Sequence, residues 1–86
     1  MEKENKPRKS VTIIVNTLPK EWDEKEISYQ QVIILAFGSY ADDPRMVYTV
    51  EYFRGENEKH EGSLTKGESV KVKEGMVFNV TKTDQS

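Results

Sequence analysis

The segment Glu68-Ser-Val-Lys-Val-Lys-Glu-Gly-Met-Val-Phe-Asn-Val-Thr-Lys-Thr-Asp-Gln-Ser86 holds two strand-like runs, residues 69–73 and 76–80, joined by Glu74-Gly75. Glycine between two such runs predicts a hairpin. Alternation puts Met76, Phe78 and Val80 on one face of the second strand and Val77 and Asn79 on the other. After Val80 the apolar pattern stops. Six polar residues, Thr81, Lys82, Thr83, Asp84, Gln85 and Ser86, complete the chain. They predict a free tail, so the unit ending at Val80 would hand its own terminus to solvent.

Working outward, Val11-Thr-Ile-Ile-Val-Asn16 is a second β-branched run, with Val11, Ile13 and Val15 inward. Thr17-Leu-Pro-Lys20 predicts a turn, because Pro19 cannot donate to a ladder. Glu21-Trp-Asp-Glu-Lys-Glu-Ile27 predicts a polar edge strand completing a hairpin, with Trp22 packed over the sheet edge. Ser28-Tyr-Gln-Gln31 has the form of a capping box. Val32, Ile33, Leu35, Ala36 and Phe37 follow as the apolar face of a short helix, and Gly38 suits its C-terminal cap. Residues 39–46 predict a loop, and Val47-Tyr-Thr-Val-Glu-Tyr-Phe53 the next strand. On that strand Tyr48, Val50 and Tyr52 would point inward, and Thr49, Glu51 and Phe53 outward. Residues 54–62 predict a polar turn region, and residues 63–67 a connection to the closing runs.

Composition bounds the possibilities. With 86 residues there is room for one small domain. Residues 1–10 are charged and hold a single apolar side chain, which predicts a flexible arm; residues 11–80 form the folding unit and residues 81–86 the tail. A net charge of −2 argues against nucleic acid as partner. The absence of cysteine excludes thiol catalysis, disulfides and cysteine metal sites. No apolar run approaches the ~20 residues that span a bilayer, and no signal peptide is visible, so the expected location is the cytoplasm, with no membrane partner.

The element order is thus strand, strand, helix, strand, short strand, strand. One helix covers only one sheet face. The expected class is α+β, a single mixed sheet of four to five strands packed on one helix. This is the β-grasp arrangement, in which the first and last strands lie parallel in the middle of the sheet. Those two runs are the apolar ones here.

The order, together with the words Thr12-Ile-Ile-Val-Asn16, Glu26-Ile-Ser-Tyr-Gln-Gln-Val32, Val47-Tyr-Thr-Val50 and Gly62-Ser-Leu-x-x-Gly-Glu-Ser-Val-Lys-Val-Lys-Glu-Gly-Met-Val-Phe-Asn-Val-Thr81, resembles ubiquitin and its relatives. It resembles most the bacterial ubiquitin-like domains called multi-ubiquitin domains. The resemblance implies a protein modifier, found beside activating, conjugating and metal-dependent deconjugating enzymes in bacterial operons, some of them associated with phage defence. It implies that a partner activates the terminal carboxylate with ATP and magnesium, so this chain needs no cofactor of its own. It also implies unknown protein targets and a monomer. Two departures stand out. The chain carries one copy where relatives often carry several. It also ends Asp84-Gln-Ser86 where ubiquitin-type modifiers end Gly-Gly, and its last glycine is Gly75. The alternative on the same fold is a non-covalent binding module; a sulfur carrier ranks third, because it too needs a terminal glycine.

Two sites follow from these patterns. The first is the tail, Thr81 to Ser86, as the substrate for activation. The second is the outward sheet face, where Glu51, Phe53, Val77 and Asn79 would meet partners. No catalytic or metal site is expected. His60 stands among charged residues with no nucleophile or second ligand at a useful spacing, and Asp42-Asp43 reads as turn chemistry. The five glycines are separated turn glycines with no phosphate-loop pattern.

Overall fold

Asn16 and Thr17 make the first reversal among the described residues, with φ of 51° and 72°. The structure is a computed structural model that describes residues 10–53 and 61–84. Positive φ at both central residues matches the twist of a two-residue hairpin, and asparagine tolerates that region better than most residues. The hairpin joins β1, Val11–Val15, to β2, Leu18–Trp22, in antiparallel register. The turn expected at residues 17–20 is therefore corrected. Pro19 lies inside β2, opposite Ile14, and an edge strand accommodates it.

The strand expected over residues 21–27 is also corrected. β2 ends at Trp22, and β3, Glu26–Ser28, is a separate element. Between them Asp23, Glu24 and Lys25 offer no apolar side chain to bury. The Trp22 indole spans the break, its Nε1–H donating to the carbonyl of Glu26 at 2.9 Å.

Ser28 then starts α1, Tyr29–Phe37. Its hydroxyl accepts from the Gln31 amide at 3.2 Å, while the Gln31 side chain accepts from the Ser28 amide at 2.9 Å. Both halves of the expected capping box are thus formed. Gly38, at φ 88°, closes the other end, and its N–H donates to the carbonyl of Ile34 at 2.7 Å. Tyr29, Val32 and Ile33 are the buried helix residues, Leu35 and Ala36 are half-buried, and Phe37 is 36% exposed. Phe37 was expected on the packed face. It is the last helical residue and overhangs the core, where its ring meets Tyr48 at 6.2 Å.

β4, Met46–Phe53, pairs with β5, Glu61–Leu64, and with β7, Val77–Asp84. β5 was expected to be part turn and part connection. Its one large apolar side chain, Leu64, is buried opposite Val50, and the backbone pairing with β4 supplies the rest. The hairpin expected across Glu74-Gly75 is corrected as well. β6, Ser69–Lys71, pairs with β3 in a separate two-stranded ribbon, and β7 joins the main sheet. Gly75, at φ 83°, turns the chain between the two, and its N–H donates to the carbonyl of Thr12 at 2.8 Å. The bond delivers β7 to the flank of β1.

The main sheet has the order β2-β1-β7-β4-β5, with β1 and β7 parallel and the other neighbours antiparallel. It is mixed and five-stranded, and α1 covers one face, the expected α+β arrangement. Ile13, Val15, Val50 and Phe78 from the sheet, with Met76 just ahead of β7, meet Val32 and Ile33 from the helix, all nearly or fully buried. Ile27 of the ribbon seals the same core.

β7 overruns the boundary expected at Val80. Thr81, Lys82, Thr83 and Asp84 pair with Thr49, Tyr48, Val47 and Met46. Their side chains are exposed and polar, but ladder bonds are made by the backbone, and β4 is long enough to supply partners. Gln85, Ser86, His60 and residues 1–9 lie outside the described residues.

Candidate partner face and carboxyl-terminal strand

Alternation fixes which side chains leave the sheet on the side away from α1. Ile14 is opposite both Pro19 and Val77, and Val77 is opposite Phe53. These four form one apolar row across β2, β1, β7 and β4. Ile14, Val77 and Phe53 shield one another and are each half-buried, while Pro19 is exposed.

Of the residues expected on this face, Phe53 faces Val77 and Glu51 faces Asn79, two adjacent cross-strand pairs. The structure therefore brings together Glu51, Phe53, Val77 and Asn79. Sequence reading did not include Ile14 and Pro19. The alternation that sends Ile13 and Val15 inward sends Ile14 outward, so that signal was present; Pro19 needed the correct turn.

The charge of the described strand residues on the face has one sign. Among the described strand residues pointing away from the helix, the ionisable ones are Glu21, Glu51 and Glu61, with no lysine or arginine. Glu51 and Glu61 flank Phe53, and with Gly62 and Ser63 they line a shallow open hollow beside its ring. Glu21 lies at the opposite edge. Its carboxylate accepts from the Thr12 hydroxyl at 2.8 Å and from the Ser10 hydroxyl at 3.2 Å. All three carboxylates are exposed.

The second region is the end of β7. β1 stops at Val15, so beyond Val80 one edge of β7 has no neighbouring strand among the described residues. The side chain of Asn16 ends the pairing by bonding Val80. Successive residues of a strand turn their N–H and C=O groups to opposite edges. Val80 faces the Asn16 side, so Lys82 and Asp84 present their backbone groups on the open edge. On the helix side the Lys82 ammonium lies 4.8 Å from the centre of the Phe37 ring. Phe37, Tyr48, Tyr40 and Tyr29 continue from it as a chain of aromatic contacts at 6.2, 5.3 and 6.1 Å. Burial pushes the Tyr29 hydroxyl above its usual range, and Tyr40 beside it adds to the shift. The hydrogen bond and charge of Asp42, 3.0 Å away, raise the Lys66 ammonium above its usual range.

Among the described residues no group of histidine, aspartate and glutamate is placed to hold a metal ion. Asp43 serves the loop, its carboxylate accepting from the Arg45 amide at 2.9 Å. No helix of the described residues is long and apolar enough to cross a membrane. A protein-family model described as Multiubiquitin matches residues 11–84. No curated protein and no solved structure gives a significant match.

Proposed function

The chain belongs to the multiubiquitin family, and from that premise we propose that it is a ubiquitin-like protein modifier rather than an enzyme. Its carboxyl end is the reacting group. A partner activating enzyme brings ATP and magnesium. The carboxylate oxygen attacks the α-phosphorus, pyrophosphate leaves, and an acyl adenylate remains. A thiolate of the partner then displaces AMP, and a conjugating enzyme passes the acyl group to an amine of a target protein. A deconjugating protease reverses the last step. The domain acts as a monomer in the cytoplasm of a bacterium, within a conjugation pathway of the phage-defence type.

The observation that carries this reading is the course of β7. It is the central strand, the last among the described residues, and one of its edges is open at Lys82 and Asp84. An extended strand with free backbone groups on one edge is the form in which an enzyme channel can grip a peptide by added strand pairing. The sheet face around Phe53 and Val77 would hold the activating and conjugating partners while the end is in the channel.

A second reading, a binding module that is not conjugated, is favoured by one feature. Residues 81–84 are zipped to β4 on their other edge, and that ladder must open before they can enter a narrow channel.

Intact mass spectrometry separates the two. The chain is incubated with its cognate activating enzyme, ATP and magnesium. Adenylate, or thioester on the enzyme, with the full chain supports a modifier that works with Ser86 at its end. A product only after loss of residues beyond Val80 supports a modifier that is first trimmed. A folded chain with no product in either form favours the binding module.

A further inference from the structure

We propose that residues 81–84 are a strap that opens from β4 as one unit while the rest of β7 stays paired, with the break between Val80 and Thr81. What holds β7 changes at that point. Phe78 and Val80 are buried in the core and pair with β4. On the β1 side Asn16 holds the same stretch, through its N–H to the Phe78 carbonyl and its side chain to both backbone groups of Val80. Beyond Val80 the side chains of Thr81, Lys82, Thr83 and Asp84 are all exposed. Among the described residues their one neighbouring strand is β4, and Lys82 rests on the Phe37 ring.

The other side of this ladder is anchored without the strap. Tyr48 lies opposite Lys82, but its ring meets Phe37 and Tyr40 at 6.2 and 5.3 Å, and its hydroxyl accepts from the Ala41 N–H at 3.0 Å. Val50, further along β4, is buried and pairs with Leu64 of β5. β4 therefore keeps its place when residues 81–84 leave.

Alternation fixes the bonds that break. Val80 turns its backbone groups to Asn16, so Thr81 and Thr83 turn theirs to Thr49 and Val47. Once freed, these groups bond water instead, and no strap side chain leaves the core, so the opening costs little. Opening past Val80 would strip a buried valine and the Asn16 amide as well. A cheap opening that stops at an expensive one is a separate cooperative unit.

The open form presents residues 81–84 as an extended peptide. Only that fraction of molecules is ready to enter an enzyme channel, and apparent affinity for the enzyme falls by the same fraction. This regulatory meaning rests on the modifier reading proposed above; the opening itself does not.

Hydrogen exchange of the full chain, read by NMR at single amides, is the test. A strap predicts protection at Thr81, Thr83, Val47 and Thr49 that agrees within about threefold and lies at least about tenfold below that of Asn79 and Glu51. A disulfide supplies the second readout. The chain has no cysteine, and directly opposed residues of such a pair stand about 5.5 Å apart at Cα, within disulfide reach. Oxidised Val47→Cys, Thr83→Cys should bring Thr81 and Thr49 up to the protection of Asn79, and reduction should return them to the parent's. Protection that climbs evenly from Thr83 to Asn79 overturns the proposal, because that is fraying residue by residue. Equal protection on both sides of Val80 overturns it too, as does a bridged protein that exchanges like its reduced form. No partner is present in this experiment, so failure of enzymatic activation leaves its outcome unchanged.

Discussion

The side-chain amide of Asn16 holds both backbone groups of Val80. Its Nδ2 donates to the Val80 carbonyl at 3.1 Å, and the Val80 N–H donates to its Oδ1 at 2.8 Å. Asn16 turns out of β1 with positive φ; its backbone N–H still donates to the Phe78 carbonyl at 3.0 Å, and its side chain carries the pairing on to Val80. Asn16→Ala strands a part-buried donor and acceptor. The expected loss is about 1–3 kcal/mol of stability, measured by urea unfolding. Asn16→Asp keeps an acceptor for the N–H and sets an oxygen against the carbonyl, so it recovers only part of the loss. An alanine variant as stable as the parent would show that the amide bonds are not needed.

The Lys82–Phe37 contact secures the end of β7 to the helix. A cation–π pair at an exposed site contributes about 0.5–1 kcal/mol. Lys82→Gln should therefore speed amide exchange at Thr81 and Thr83 by a factor of about 2–5, with no change at Val50 in the core. Equal exchange in both proteins would leave the ladder with β4 as the sole restraint.

Gly62 is required by its neighbour across the ladder. A Cβ built on it would lie 2.6 Å from the Tyr52 hydroxyl oxygen and 2.7 Å from the ring carbon that bears it. The Tyr52 ring lies over the glycine and reaches Phe78 at a centroid distance of 6.2 Å. Gly62→Ala must push the ring aside, at about 1 kcal/mol. In a double-mutant cycle with Tyr52→Leu the cost should shrink, because the obstructing atoms are gone. Additive losses would mean that the glycine matters for its backbone alone.

Alkaline pH should weaken the fold through two groups. The Tyr29 hydroxyl and the Lys66 ammonium both have folded-state pKa values raised above their ordinary values of 10.0 and 10.5. Between the unfolded and folded values the native state holds more protons than the unfolded chain. Stability is fully present below about pH 10 and falls as pH rises through the folded values. Tyr29→Phe removes the buried group that must ionise, so its unfolding midpoint on a rising pH scale should lie higher than the parent's. A midpoint that does not move would assign the alkaline loss to other groups. Lys66 and Asp42 are both exposed, so Asp42→Asn should alter the profile only slightly.

The elements legible in the chain are those whose signal is local. Ser28 and Gln31 announced their cap, Gly38 its helix end, and Ile13, Val15, Phe78 and Val80 their inward faces. The Phe53–Val77 pair followed from the same alternation. The turn was misplaced because proline outweighed asparagine in the reading: Asn16-Thr17 carries the reversal, and Pro19 rests in an edge strand where its missing donor costs little. β5 carries too few apolar residues to stand out and exists only through its partner; residues 69–73 read as a strand, but only the fold assigns β6 to β3 and not to β7.

Composition and spacing by themselves determined the class of fold and the helix, because burying apolar side chains at a fixed period is a property of the chain alone; the parallel central pair was implied by the β-grasp arrangement. Tertiary structure decided where β7 ends, which strand β6 joins and which charges the described strand residues bring to the outer face. Those depend on backbone pairing between residues far apart in sequence. A hydrogen bond from one main chain to another is indifferent to whether the side chains beside it are Val80 or Thr81.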